Sequence, residues 1–199
     1  MFWDKVSGLY DFFETAYNGK VYRNLGKKVA EEIEQNDIVL ECACGTGAIS
    51  KYIAPKCKQL IATDFSEGML KQTAKNCRQY DNIKLRRADM TQIKCRDNRF
   101  DKVVAGNVIH LLEDPYAAIK ELVRVCKTGG QIIIPTYINA SDEVNQKAVR
   151  LLELAGANFK RQLDINSYKK FFEDAGYKNV DYYIVDGRMP CARAIITKQ

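Results

Sequence analysis

A short apolar run followed by closely spaced glycines, in residues 37–50 (DIVLECACGTGAIS), is the feature that most constrains the fold. Residues 38–40 predict a strand buried on both faces. Glu41 ends the run, and the glycines of segment 45–47 then turn the chain into a helix that we expect to begin near Thr46. Glycine suits a sharp turn and a position that a ligand approaches closely. This order predicts half of a nucleotide-type site at the carboxyl edge of a parallel sheet.

The acidic residues indicate which ligand such a site would take. A dinucleotide fingerprint would require a third glycine where this chain has Ser50. Carboxylates instead follow the first three predicted strands, at Glu41, Asp64 and Asp89. They suit a cofactor that presents ribose hydroxyls, an adenine amino group and an ammonium group. They suit a pyrophosphate less well, because like charges repel at short range.

These motifs together resemble those of the class I S-adenosylmethionine-dependent methyltransferases. The resemblance rests on segment 41–47 (ECACGTG), Asp64, Asp89 and segment 106–110 (GNVIH), and it spans roughly Tyr10 to the C-terminus. Within the family, the chain is similar to the small-molecule branch that contains the ubiquinone/menaquinone-biosynthesis C-methyltransferases. The resemblance implies an α/β, Rossmann-like, doubly wound seven-stranded sheet, mostly parallel with an antiparallel C-terminal strand, in three layers (α/β/α). It also implies S-adenosyl-L-methionine as the cofactor.

The order of apolar runs and turn signals agrees with this fold. Strands are predicted at 38–40, 59–64, 83–89, 100–105, 131–135, 180–185 and 191–197. Helices are predicted within 2–35 with a break at 18–19, at 46–54 before Pro55, from the N-cap Ser66 to Tyr80, and at 115–125, 141–155 and 166–175. We expect one domain, residues 1–199, with a helical lid (1–35), a cofactor-binding core (36–135), and acceptor-side helices with a terminal hairpin (136–199).

The resemblance also implies roles for individual side chains. It places Asp64 on the ribose, Phe65 and Met69 against the adenine, Asp89 on the adenine amino group, and Met90 on the adenine face. The complete set of expected cofactor-binding residues is Tyr10, Tyr22, Glu41, Ala43, Cys44, Gly45, Thr46, Gly47, Asp64, Phe65, Met69, Ala88, Asp89, Met90 and Asn107.

Tyrosines are expected at the methionine and acceptor end of the site. Tyr10 matches the tyrosine of a Tyr-Asp pair in the family, and we expect Tyr10 or Tyr22 to touch the methionine end. The acceptor pocket should be lined by Tyr10, Tyr17, Tyr137 and part of segment 141–163. Such a lining is aromatic and only mildly polar, so it predicts a small, partly apolar acceptor.

His110 is the only histidine and the candidate catalytic residue. Methyl transfer from a sulfonium is an in-line displacement that depends mainly on alignment and exclusion of water. A general base helps only where the acceptor must lose a proton. His110 follows the fourth predicted strand and could border the acceptor pocket as that base. The alternative is that it caps the following helix.

Composition excludes several other classes of protein. Hydrophobic residues make up 46% of the 199, and no apolar run approaches the roughly 20 residues needed to span a bilayer. The first residues lack a signal-peptide pattern, and seven scattered cysteines suggest a reducing compartment, so we expect the cytoplasm. One histidine and no CxxC pair predict no metal site. Much of the net charge of +6 lies in segment 56–102, which we interpret as a solvated face and not as a nucleic-acid surface.

Two other functions remain open at this point. One is an NAD-dependent Rossmann oxidoreductase, against which Ser50, Asp89 and the lack of a separate substrate domain stand. The other is a non-catalytic S-adenosylmethionine-binding regulatory module, since binding residues alone do not prove turnover. The acceptor, the atom methylated and the oligomeric state are not encoded in these motifs.

Overall fold

Seven strands form one sheet in the computed structural model, which describes residues 19–138, 163–186 and 190–199. The strands are β1 (Ile38–Cys42), β2 (Gln59–Asp64), β3 (Ile83–Arg87), β4 (Phe100–Ala105), β5 (Cys126–Tyr137), β6 (Val180–Val185) and β7 (Cys191–Thr197). Their order is β3-β2-β1-β4-β5-β7-β6. β1 to β5 pair in parallel, and β7 is antiparallel to both β5 and β6. The predicted fold, including its antiparallel C-terminal strand, is confirmed.

Helices cover both faces of this sheet. The described α-helices are α1 (Gly19–Ala30), α2 (Ser50–Ile53), α3 (Glu67–Asn76), α4 (Pro115–Val125) and α5 (Ile165–Asp174), with 3-10 turns at Ala54–Lys56 and Ile109–Leu111. Successive strand residues alternate between two buried clusters, because strand side chains point to opposite faces. On β4, Val103 packs into the cluster with α4 and α5, and Val104 into the cluster with α1 and α2. The molecule therefore has the expected three layers.

The helix after β1 begins later than predicted. The chain turns from Gly45 to Ile49, and α2 starts at Ser50 rather than near Thr46. Gly45 and Gly47 have φ angles of +57° and +84°, which a right-handed helix cannot contain, so helical geometry starts only beyond them. α2 ends at Ile53, and, contrary to the prediction, Pro55 does not lie directly after a helix that runs to residue 54. It lies in the 3-10 turn, at a position where its missing N–H costs nothing.

Other boundaries also differ from the predictions, among them the end of β1, which reaches Cys42 and so includes Glu41. α3 ends at Asn76, four residues before Tyr80. β3 ends at Arg87, so Asp89 follows the strand, as expected, with Ala88 between them. β5 begins at Cys126, not at 131. Cys126 pairs with Phe100 of β4, and Gly129 and Gly130 exchange hydrogen bonds with the backbone of Lys198. The pair of glycines therefore lies within a strand and does not act as a helix stop.

Some predictions fall outside the described residues. They include the lid up to residue 18, with Tyr10 and Tyr17, and the helix at 141–155. Among the described helices, none is both long and apolar enough to cross a membrane.

Candidate functional site

A cavity of about 380 Å³ lies beyond the carboxyl ends of β1, β2, β3 and β4. The four strands run in parallel, so the segments that follow them meet at one edge of the sheet. Its lining residues are Tyr22, Glu41, Ala43, Cys44, Gly45, Ala48, Ile49, Asp64, Phe65, Met69, Ala88, Asp89, Met90, Thr91, Gly106, Asn107, Val108, Leu111 and Leu112. The volume is within the range of small-molecule and cofactor sites, roughly 300–1,000 Å³.

Most of the expected cofactor-binding residues line this cavity. The residues brought together are Tyr22, Glu41, Ala43, Cys44, Gly45, Asp64, Phe65, Met69, Ala88, Asp89, Met90 and Asn107. Thr46 and Gly47 are not on its surface, because they form the inner side of the turn and pack against α3: the Thr46 carbonyl accepts a hydrogen bond from Asn76. Tyr10 lies outside the described residues.

Two backbone N–H groups of the turn after β1 already have hydrogen-bond partners within the protein. The N–H of Gly45 donates to Asp64 Oδ2 at 2.9 Å, and that of Gly47 donates to the Cys44 carbonyl at 2.9 Å. Thr73 on α3 donates to the Gly45 carbonyl at 2.7 Å. In a dinucleotide site, such N–H groups bind the pyrophosphate. Here these two are already engaged, so the turn is not built as a phosphate cradle.

Glu41 is a buried carboxyl group at the base of the cavity. Its side chain is 2% exposed, and Ser50 donates a hydrogen bond to Oε2 at 2.6 Å. Burial raises the pKa of Glu41 to about 8, the Ser50 hydrogen bond opposes this, and nearby Asp64 adds to it. Because burial disfavours the charged form, Glu41 is mostly protonated at neutral pH while the cavity holds no cation.

Asp64 is held in a fixed position at the end of β2. Its Oδ2 accepts from the N–H of Gly45 and its Oδ1 accepts from the N–H of Ser66, at 2.8 Å. A carboxylate oxygen can accept more than one hydrogen bond. Asp64 can therefore receive hydroxyl groups of a ligand without giving up the bonds that orient it.

Apolar side chains and a second aspartate lie at the β3 end of the cavity. Met69 and Met90 are buried, and Phe65 is 49% exposed with the Arg87 guanidinium 5.3 Å from its ring centre. Asp89 Oδ1 accepts from the N–H of Thr91 at 2.8 Å and from its hydroxyl at 2.7 Å. This arrangement offers a flat apolar slot beside a carboxylate, which suits a purine with an exocyclic amine.

The cavity lining contains acidic groups and no basic ones among the described residues. Glu41, Asp64 and Asp89 contribute three carboxyl groups, and no lysine, arginine or histidine is among the described residues that line it. Such a surface attracts a cationic ligand and repels a pyrophosphate.

Asn107 marks the β4 end of the cavity. Its φ angle is +53°, and its N–H donates to the Pro135 carbonyl at 2.7 Å, so its backbone is fixed against β5. Its side-chain amide lies 3.5 Å from the Tyr22 hydroxyl, and the Tyr22 ring makes an edge contact with Tyr137 at 5.9 Å between ring centres. Tyr137 itself is not part of the cavity lining. At this end α1 thus contacts the segment after β4 through the Asn107 amide and contacts β5 through the Tyr137 ring.

His110 is separated from the cavity surface. It is 5% exposed, lies in the 3-10 turn Ile109–Leu111, and is not a lining residue. Burial lowers its pKa to about 4, so it is neutral near pH 7. It does not cap α4 either, because Asp114 is the N-cap and accepts from the N–H of Ala117. The geometry favours a packing role for His110 over proton transfer.

The sequence reading missed seven of the lining residues. Ala48, Ile49, Thr91 and Gly106 adjoin predicted positions, whereas Val108, Leu111 and Leu112 form an apolar wall after β4. The signal was the run 108–112 (VIHLL), which is apolar at every position except His110.

Comparisons with known proteins agree with this geometry. Residues 40–134 match a family model described as a methyltransferase domain. A demethylmenaquinone methyltransferase from Staphylococcus saprophyticus is 26% identical over 200 aligned positions, which cover 88% of this chain and 85% of the relative. A Methanococcus maripaludis structure assigned to the S-adenosyl-L-methionine-dependent methyltransferases has a TM-score of 0.74 at 19% identity, covering 100% of this chain and 94% of that one. The magnesium protoporphyrin IX methyltransferase of Synechocystis PCC 6803, solved with bound SAH, has a TM-score of 0.67 at 15% identity, covering 90% and 83%.

Proposed function

We propose that the chain is a class I S-adenosylmethionine-dependent methyltransferase of the quinone C-methyltransferase-like branch, and that it methylates a small, partly apolar acceptor at the Asn107 end of the cavity. The observation that carries the proposal is the charge of the site. Three carboxyl groups and no described basic residue line the cavity, and the Gly45 N–H is engaged by Asp64. A ligand with a sulfonium and an ammonium group complements this surface, whereas NAD would bring a pyrophosphate to it.

The proposed binding roles follow the positions of the side chains. Asp64 accepts the ribose hydroxyls, and Asp89 accepts the adenine amino group. Met69 and Met90 enclose the adenine ring with Phe65 at its open side. Glu41 lies at the base of the cavity and balances the positive charge of the methionine part. These assignments rest on the cavity lining and on the hydrogen bonds that fix Asp64 and Asp89.

S-adenosylmethionine supplies an activated methyl group, so the protein needs no covalent nucleophile. Cys44 is the one thiol on the cavity surface among the described residues, and burial raises its pKa well above the ordinary value. It therefore stays protonated and is a poor nucleophile. What the chain contributes is alignment of the acceptor and exclusion of water, both of which a rigid, mostly apolar pocket provides.

The acceptor is proposed to lie against Val108, Leu111 and Leu112, with Tyr22 and Asn107 as its polar contacts. This wall is apolar, and the two polar groups are uncharged, which suits an aromatic or quinol-like ring better than a charged metabolite. The Staphylococcus relative acts on demethylmenaquinone according to its name. All seven cysteines are free thiols, which fits the reducing cytoplasm that we propose as the location.

Calorimetric titration tests the choice of cofactor. We expect micromolar or tighter binding of S-adenosylmethionine and S-adenosylhomocysteine and no binding of NAD. Asp64→Ala should abolish that binding, and Asp81→Ala, which removes an exposed aspartate outside the cavity, should leave it intact. Binding of NAD with none of S-adenosylmethionine would overturn the proposal.

Methyl transfer itself separates an enzyme from a regulatory binding module. The protein is incubated with methyl-labelled S-adenosylmethionine and a panel of quinols, thiols and amines. We expect label in an aromatic quinol or phenol, because the cavity wall beyond Asn107 is apolar. Tight cofactor binding with no label in any acceptor class would instead support the non-catalytic module.

A further inference from the structure

The segment between β3 and β4, residues 88–99, forms one wall of the cavity without a helix or strand of its own. Ala88, Asp89, Met90 and Thr91 line the cavity, so the position of this segment sets the shape of the adenine slot. An irregular segment depends for its position on contacts from neighbouring elements. The question is which contacts hold it.

Two side chains on α4, Glu121 and Arg124, form hydrogen bonds with the backbone of this segment. Arg124 Nη2 donates to the Ile93 carbonyl at 2.7 Å, and Nη1 donates to the Cys95 carbonyl at 2.7 Å. Glu121 Oε2 accepts from the N–H of Ile93 at 2.8 Å. Ile93 is therefore held through both its N–H and its carbonyl group, as it would be by a neighbouring strand.

Glu121 and Arg124 also form a salt bridge with each other. Arg124 Nε lies 2.6 Å from Glu121 Oε1, and Nη2 lies 2.8 Å from Oε2, which is a bidentate pair one helical turn apart. Hydrogen bonds from Arg124 hold the pKa of Glu121 below its ordinary value. Charge-assisted bonds of this kind are about twice as strong as neutral ones and fix geometry in two directions.

Neither side chain lines the cavity, so any effect on the ligand must pass through the segment. Ile93 lies four residues after Asp89 and three after Met90, and its side chain is buried in the core. A hydrogen bond from a ligand amine to Asp89 requires the donor within about 3.2 Å. A shift of 1 Å in the segment would therefore lose that bond.

We propose that Glu121 and Arg124 are positioning residues for the adenine end of the cofactor site. They hold Asp89 and Met90 in register with the ligand by clamping the backbone at Ile93 and Cys95. This inference rests on the proposed function, since it takes Asp89 as the partner of the adenine amino group. Its readout is discrimination between adenine and hypoxanthine, which a purely stabilising role of the ion pair would not change.

The test compares the binding of S-adenosylhomocysteine with that of its deaminated analogue, S-inosylhomocysteine, by calorimetric titration. The wild type should prefer the adenosyl ligand by about tenfold or more, the value of one charge-assisted hydrogen bond. Glu121→Gln and Arg124→Gln should weaken binding of the adenosyl ligand and reduce the preference to about threefold or less. Asp174→Asn is the control. It breaks an ion pair with Lys170 on α5, at 2.9 Å, that contacts no residue of the segment, and it should leave the preference unchanged.

A variant that folds and keeps the tenfold preference would overturn the positioning role, as would equal weakening of both ligands. If Arg124→Gln does not fold, Glu121→Gln decides the question, because it breaks the charged pair that orients Arg124 and leaves the guanidinium in place. Asp89→Ala separates the two levels of inference. If Asp89→Ala removes the preference while the Glu121 and Arg124 variants do not, the positioning role of these two residues is wrong and the assignment of Asp89 to the adenine amino group stands. If Asp89→Ala keeps the preference, or the wild type binds neither ligand, the assignment beneath the clamp fails as well.

Discussion

Glu41 should make the stability of the unliganded protein fall as the pH rises from 4.5 to about 8. It is almost completely buried, and its pKa is raised to about 8 by burial and by Asp64, in spite of the hydrogen bond from Ser50. An unfolded chain exposes the same group, whose pKa is then the ordinary value of 4.5. Between these two values the folded state holds one more proton than the unfolded state. The stability that results is complete below pH 4.5 and declines as pH rises through 8.

The size of this effect follows from the two pKa values. Stability falls by nearly 1.4 kcal/mol per pH unit in the middle of the window, so the change from pH 6 to pH 9 is about 2–3 kcal/mol. Glu41→Gln removes the titrating group, keeps its shape, and leaves an oxygen for the Ser50 hydroxyl. The difference in melting temperature between the variant and the wild type should therefore shift by roughly 5–10 °C over this range, in favour of the variant at high pH.

Thermal unfolding followed by circular dichroism, at constant ionic strength and without cofactor, measures the shift. The buried cysteines are present in both proteins, so their titration cancels from the difference. Glu173→Gln, which removes an exposed glutamate on α5, serves as the control and should follow the wild type at every pH. If the melting temperatures of Glu41→Gln and the wild type change equally from pH 6 to 9, Glu41 is ionised in the folded protein and the reasoning is refuted.

Three further outcomes are expected. Ala43 adopts a φ of +53°, so Ala43→Gly should raise the free energy of unfolding by about 1 kcal/mol in urea titrations. Ala74→Gly, at an exposed position of α3, should lower it instead. Burial lowers the pKa of His110 to about 4, so the folded state resists protonation and stability is lost as pH falls from 6.5. Between pH 6.5 and pH 4, the free energy of unfolding of His110→Gln should therefore fall by about 3 kcal/mol less than that of the wild type. An equal fall in both proteins would contradict this. Arg193 is buried and pairs with Glu32 at 2.9 Å, so Arg193→Ala should cost about 3 kcal/mol, and an unchanged melting temperature would show that the pair contributes nothing.

Local sequence was enough to predict the frame of the cofactor site. The bounds of β2 were predicted residue for residue, because its apolar residues 60–62 form one run that is bounded by Gln59 and by Thr63 and Asp64. Glu41, Asp64 and Asp89 could be grouped before any coordinates existed, since the ends of parallel strands meet at one edge. The turn at 45–47 followed from glycine alone. Each of these inferences uses information within a few residues of the feature.

Tertiary structure decided what lies far apart in the chain. Nothing near His110 in sequence shows that it is buried away from the cavity while Leu111 faces it, because that depends on how the 3-10 turn packs. The contact between Arg124 and the Ile93 carbonyl joins residues 31 positions apart, and it exists only because α4 lies beside the segment before β4. Residue patterns report which faces are apolar and where the backbone can turn. They do not report which elements become neighbours, and the positions of buried charges are set by those neighbours.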